Sequence, residues 1–97
     1  MKLRLTRRAA TELDDLLTYI EQDSPQAAQM VAGRIEGMFD LLLRMPTIGK
    51  PSVRPNVREY VVPRLPLIIV YRQQLNELVV LAVFHTSRDP NKRLDRA

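Results

Sequence analysis

The chain has 97 residues, one domain's worth, with 15 Lys and Arg against 11 Asp and Glu for a formal charge of +4. Its 45% apolar and 27% charged content is globular and excludes an extensively disordered chain. Cysteine is absent and histidine occurs once, which removes disulfides, thiolate nucleophiles and a structural metal site, and fits a reducing cytoplasm.

No stretch approaches the roughly 20 apolar residues of a membrane span, and the basic residues 1–8 lead into Thr11, Glu12, Asp14 and Asp15 rather than an apolar signal core. The expectation is a single soluble domain spanning 1–97, cytoplasmic and away from membranes. The basic excess asks for an acidic partner, nucleic acid or protein. With three Tyr, two Phe and no Trp, base stacking is a poor main binding mode.

Lys2 to Thr6 alternates polar and apolar residues, the period of a half-buried strand with Leu3 and Leu5 inward. From Ala9 the period changes: Leu13, Leu16, Leu17 and Ile20 recur at helical steps, with Glu12, Asp14, Asp15 and Thr18 on the other face and Thr6 as the N-cap. Asp23-Ser24-Pro25 ends this helix and starts another, since a residue before proline avoids the helical region and Pro suits a first helical position. Ala28, Val31, Ile35, Met38, Leu42 and Met45 then form one stripe, roughly 30 Å long, on a helix from Pro25 to about Arg44. The two helices are expected to pair as an antiparallel hairpin.

Pro46, Gly49, Pro51 and Pro55 make Met45 to Asn56 a loop without a regular element. Val57–Val62, Leu67–Arg72 and Leu78–His85 are rich in Val, Ile, Leu and Tyr and read as consecutive antiparallel strands. Pro63 and Pro66 belong at strand ends, where no ladder donor is needed. Leu78 to Phe84 is apolar at every position, which places that strand in the sheet interior. The predicted fold is α+β: an N-terminal strand and a helical hairpin packed on a largely antiparallel sheet.

The charge is unevenly placed. Ala9 to Met45 holds two basic and seven acidic residues, net −5, and the remainder holds thirteen and four, net +9. One side of the molecule is acidic and the rest strongly basic. Metal, phosphate-loop and dinucleotide signatures are missing, because Gly33, Gly37 and Gly49 are too sparse for a phosphate cradle. The four-residue spacing of Gly33 and Gly37 suits close approach of the first helix or of a partner.

Cofactor-free RNA cleavage requires a base, an acid and a cation for the developing phosphorane charge. Arg58, Glu59, Tyr71, Arg72, His85 and Arg88 are the residues able to supply them. A lone His ending an apolar strand reads first as a structural hydrogen-bonding group, and Arg58 and Arg88 are the better candidates for a basic site.

The ordered set of Ala9-Ala10-Thr11-Glu12-Leu13, Tyr19-Ile20, Ser24-Pro25-Gln26-Ala27-Ala28, Met45-Pro46, Ile48-Gly49-Lys50, Val57-Arg58-Glu59-Tyr60-Val61-Val62, Leu65-Pro66-Leu67-Ile68-Ile69-Val70-Tyr71-Arg72 and His85 with Arg88-Asp89-Pro90 resembles the ParE/RelE toxin superfamily over essentially the whole chain. RelE-like members are ribosome-dependent mRNA endonucleases with an arginine at the start of the middle strand and a C-terminal Tyr or His. Here the first position falls in Pro66-Leu67, and no aromatic residue follows His85. The resemblance is therefore stronger to ParE, whose members block DNA gyrase without cutting nucleic acid.

That resemblance implies a toxin of a type II toxin–antitoxin system, associated with plasmid stabilisation, without cofactor or metal and without sequence-specific DNA binding of its own. A ParD-like antitoxin would neutralise it by a helix-in-groove mode, with Leu13, Leu17, Val31 and Ile35 as apolar contacts and Arg58 and Arg72 pairing with acidic antitoxin residues. DNA gyrase would be the target, contacted through Arg88, Lys92, Arg93 and Arg96. As catalytic candidates for the RelE-like alternative, Arg58, His85 and Arg88 remain, and a third alternative is a toxin fold without toxic activity.

Overall fold

The computed structural model describes residues 1–86 as a five-stranded sheet carrying two helices on one face. Chain order is β1 (Lys2–Leu5), α1 (Arg7–Asp23), α2 (Pro25–Arg44), β2 (Lys50–Pro51), β3 (Val57–Val61), β4 (Leu67–Gln74) and β5 (Glu77–His85), and the sheet order is β1-β5-β4-β3-β2. β1 runs parallel to β5, and every other pair is antiparallel. The α+β architecture expected from the sequence is the one observed.

Two hydroxyls set the helix boundaries. Thr6 Oγ1 accepts from Ala9 N at 3.1 Å, satisfying a donor that the first turn of α1 leaves open. Ser24 Oγ does the same for Ala27 N of α2 at 3.1 Å, while its own N–H donates to Ile20 O at 3.0 Å. One residue thus closes α1 and opens α2. Leu17 and Ala32 line the same groove as Glu21 and Ala28, so the chain folds straight back on itself.

Ala9, Leu16, Val31, Ile35 and Leu42 from the helices meet Leu67, Ile69, Tyr71, Leu78, Val80 and Val83 from the sheet in the main core. A second cluster, Val57, Ile68, Val70, Ala82 and Phe84, lies on the opposite sheet face. Strand alternation by itself would put Val80, Ala82 and Phe84 on one face. The pairing instead shifts between Val70↔Ala82 and Tyr71↔Val80, leaving Leu81 as an extra residue. That bulge turns Val80 and Val83 toward the helices and Ala82 and Phe84 away from them. β5 lies in the sheet interior as expected, and side chains buried on both of its faces account for its unbroken apolar run.

Among the described residues, the edge of β5 that faces away from β4 has no strand beside it beyond Val80. Side chains from the start of the hairpin fill its hydrogen bonds: Thr6 Oγ1 donates to Leu81 O at 3.2 Å, and Glu12 Oε1 accepts from Val83 N at 3.0 Å.

Three expectations are corrected. Met45 to Asn56 is not wholly irregular, because Lys50 and Pro51 pair with Glu59 and Arg58 as the short edge strand β2. Gln73 and Gln74 continue β4 against Leu78 and Glu77, so the β4–β5 connection shrinks to Leu75 and Asn76. Gly33 and Gly37 do not admit α1, since a Cβ at either position would meet nothing within 4 Å.

Candidate functional site

The segment after α2 is held down by two side chains of the sheet. Tyr71 is buried, and its hydroxyl accepts from Gly49 N at 2.9 Å and donates to Pro46 O at 2.8 Å. Arg58, paired with Tyr71 across β3 and β4, uses Nη1 to donate to Gly49 O at 2.7 Å and Thr47 O at 3.2 Å. Burial pushes the Tyr71 hydroxyl above its ordinary pKa of 10.0, against the opposing effects of the Gly49 hydrogen bond and the Arg58 charge. Gly49 is required where it stands: a Cβ there would lie 2.7 Å from Tyr71 Oη and 3.0 Å from Glu59 O.

Beside this latch, residues 51–56 and the β4–β5 turn enclose an open cavity of about 530 Å³. Arg54, Arg58, Val53, Asn56, Gln73 and Leu75 are among its walls, and no acidic residue lines it among the described residues. Asn56 and Leu75 both have positive φ, 63° and 46°. A smaller groove of about 260 Å³ runs between α1 and α2, with Leu17, Ala28 and Ala32 as its apolar lining and Asp14 and Glu21 as its charged residues.

Of the residues expected to receive an antitoxin, Val31 and Ile35 are 7% and 1% exposed and belong to the core. Leu13 packs partly against that core, and Leu17 alone of the four lines the interhelical groove. Arg58 points to the helix side of the sheet at its β2 end, whereas Arg72, one step past Tyr71, lies on the opposite face with a buried Nε that makes no hydrogen bond.

Arg58 and His85, the two catalytic candidates among the described residues, are not brought together either. Arg58 sits opposite Tyr71 and His85 opposite Leu67, four residues apart on β4. With β4 between them, the two are separated by about 13 Å along the strand and roughly 10 Å across it. Arg88, Lys92, Arg93 and Arg96 lie outside the described residues. Among the described residues, no group of three or more His, Asp or Glu side chains is arranged to hold a metal ion, and no helix is long and apolar enough to cross a membrane.

The latch and cavity had a signal in Pro46, Gly49, Pro51 and Pro55, which marked a loop but not what anchors it. Tyr71 was legible as a strand residue and as a candidate for acid–base chemistry, and nothing in the sequence pairs it with Pro46 and Gly49, 25 and 22 positions away.

Comparison with known proteins places this architecture. The family described as "ParE toxin of type II toxin-antitoxin system, parDE" matches residues 3–90. A Sinorhizobium fredii (strain NBRC 101917 / NGR234) protein named "Putative toxin Y4kP" is 38% identical over 84 residues, covering 87% of this chain and 86% of that protein. A solved structure titled "Chromosomal ParDE TA system from P. aeruginosa" superposes with a TM-score of 0.77 at 27% identity, covering 88% of this chain and 95% of that one. The chain therefore belongs to the ParE toxin family of type II toxin–antitoxin systems.

Proposed function

We propose that this toxin acts in the cytoplasm by inhibiting DNA gyrase without catalysing a reaction, and that a ParD-like antitoxin neutralises it. The observation that carries the non-catalytic reading is the separation of Arg58 from His85, the two catalytic candidates among the described residues. Arg58 spends Nη1 on two loop carbonyls, and His85 stands at the far end of the sheet. Acid–base cleavage needs its base, acid and cation within hydrogen-bond reach of one phosphate. On the sheet face away from the helices, Glu59 and Arg72 lie beside Val57, Ile68, Val70, Ala82 and Phe84, whereas Arg58 and His85 are on the helix side.

Supercoiling by gyrase tests the target. Purified toxin is expected to arrest it at stoichiometric amounts and to leave translated mRNA uncut. Undiminished supercoiling at stoichiometric excess sinks the gyrase reading.

For the antitoxin, the interhelical groove is the seat that Leu17, Ala28 and Ala32 support, since apolar faces of helices bury well in such a trough. Asp14 and Glu21 in the groove favour neutral or basic antitoxin residues there. Replacing Ala32 by Glu adds a third carboxylate and is expected to weaken antitoxin binding at least ~10-fold in calorimetry. Unchanged affinity for that variant would move the antitoxin to another surface.

A further inference from the structure

We propose that the cavity between residues 51–56 and the β4–β5 turn is a docking site for an acidic protein segment that carries a large apolar side chain. The site is separate from the interhelical groove and stands whether or not gyrase is the target.

Three observations carry it. Val53 and Leu75 are 83% and 98% exposed, the most exposed large apolar residues among those described, and both line this cavity. Exposed apolar residues are ordinary when scattered, but two flanking one concavity make an anchor pocket.

The second is charge. Arg54 and Arg58 line the cavity with no acidic neighbour in its walls, and neither forms an ion pair among the described residues. Arg58 commits Nη1 to the loop, which fixes its plane, and its Nε and Nη2 have no hydrogen-bond partner among the described residues. A guanidinium held in this way is set for carboxylate recognition.

The third is backbone strain. Asn tolerates the left-handed region at position 56, whereas Leu75 at φ 46° is a bulky residue where Gly or Asn is favoured. Leu75 thus bears two unfavourable conditions, a strained backbone and a solvated side chain, and burial against a partner relieves one of them. Phosphates would also attract the arginines, but nucleic acid has little use for Val53 and Leu75, and the cavity walls hold no aromatic ring for stacking.

The test uses methyl NMR of the whole chain titrated with acetyl-Asp-Glu-Leu-Phe-Asp-Glu-amide, with the same peptide carrying Lys in place of its acids, and with an eight-nucleotide oligothymidine. The acidic peptide is expected to shift the Val53 and Leu75 methyls and to bind at least ~10-fold more tightly than the lysine peptide. Leu75→Asn relieves the strain and removes the anchor, so it should raise Tm by about 2–5 °C while weakening the acidic peptide at least ~10-fold. That pairing separates loss of the site from loss of the fold. The proposal is overturned if the two peptides bind alike, if Leu75→Asn leaves acidic-peptide affinity intact, or if oligothymidine shifts the same methyls more tightly.

Discussion

Tyr71 Oη lies 2.9 Å from Gly49 N and 2.8 Å from Pro46 O, so one buried hydroxyl serves as acceptor and donor to the segment that leaves α2. Tyr71→Phe keeps the ring but leaves both backbone groups without partners, and is expected to cost about 1–3 kcal/mol in urea unfolding. Gly49→Ala drives a Cβ toward the same hydroxyl and toward Glu59 O, for a loss of about 1–3 kcal/mol. Combined, the two changes should cost somewhat less than the sum of the singles, because Phe removes the hydroxyl 2.7 Å from the Ala methyl but keeps the ring carbon 2.9 Å away.

Alkaline unfolding should report the same hydroxyl. Burial raises the folded-state pKa of Tyr71 above its ordinary 10.0, so the folded state holds this proton more tightly than the unfolded state. The resulting stabilisation is complete below pH 10.0 and is lost as pH climbs through the higher folded value. The difference in unfolding free energy between the native chain and Tyr71→Phe should be flat below that pH and shrink above it.

Glu12 joins the hairpin to the sheet, its Oε1 accepting from Val83 N at 3.0 Å and its Oε2 lying 3.6 Å from Arg8 Nε. Glu12→Ala should destabilise by about 1.5–3 kcal/mol, the range for losing a hydrogen bond to a charged group. Glu12→Gln keeps an acceptor and should recover at least half of that. Hydrogen exchange at the Val83 amide provides the local readout, with protection falling in the Ala variant and persisting in the Gln variant.

Gly33 and Gly37 lie within α2 with open space where a Cβ would go. Each Gly→Ala change should therefore stabilise the toxin by about 0.5–1 kcal/mol through lost backbone entropy of the unfolded chain. A destabilising outcome in thermal melts would show that the two positions meet something other than solvent.

The helices were readable because their signals are local. Ser24-Pro25 places a cap and a first-turn proline side by side, and the stripe from Ala28 to Leu42 repeats at helical spacing. The bulge at Leu81 left no trace, since Leu78 to Phe84 is apolar throughout and gives alternation nothing to break. β2 was missed because two residues, one of them Pro51, carry no period. Val31 and Ile35 show the same limit at the site: periodicity says that they face something apolar, not whether that is this sheet or a partner. Arg58 was picked out as a charge, but its partners Thr47 and Gly49 are fixed by the tertiary path of a loop.

The parallel pairing of β1 with β5 bears on the order in which the molecule assembles. Leu3 lies opposite Leu78, and Lys2 N donates to Asn76 O, so the first strand has no ladder partner until β5, the last described strand, exists. Closing so long a loop is the slow, entropically costly part of folding. A chain stopped after Gln74 would lack at once the partner of β1 and the Val83 amide that donates to Glu12. During synthesis the toxin therefore completes its sheet late, after the hairpin and β3–β4 are already available to fold.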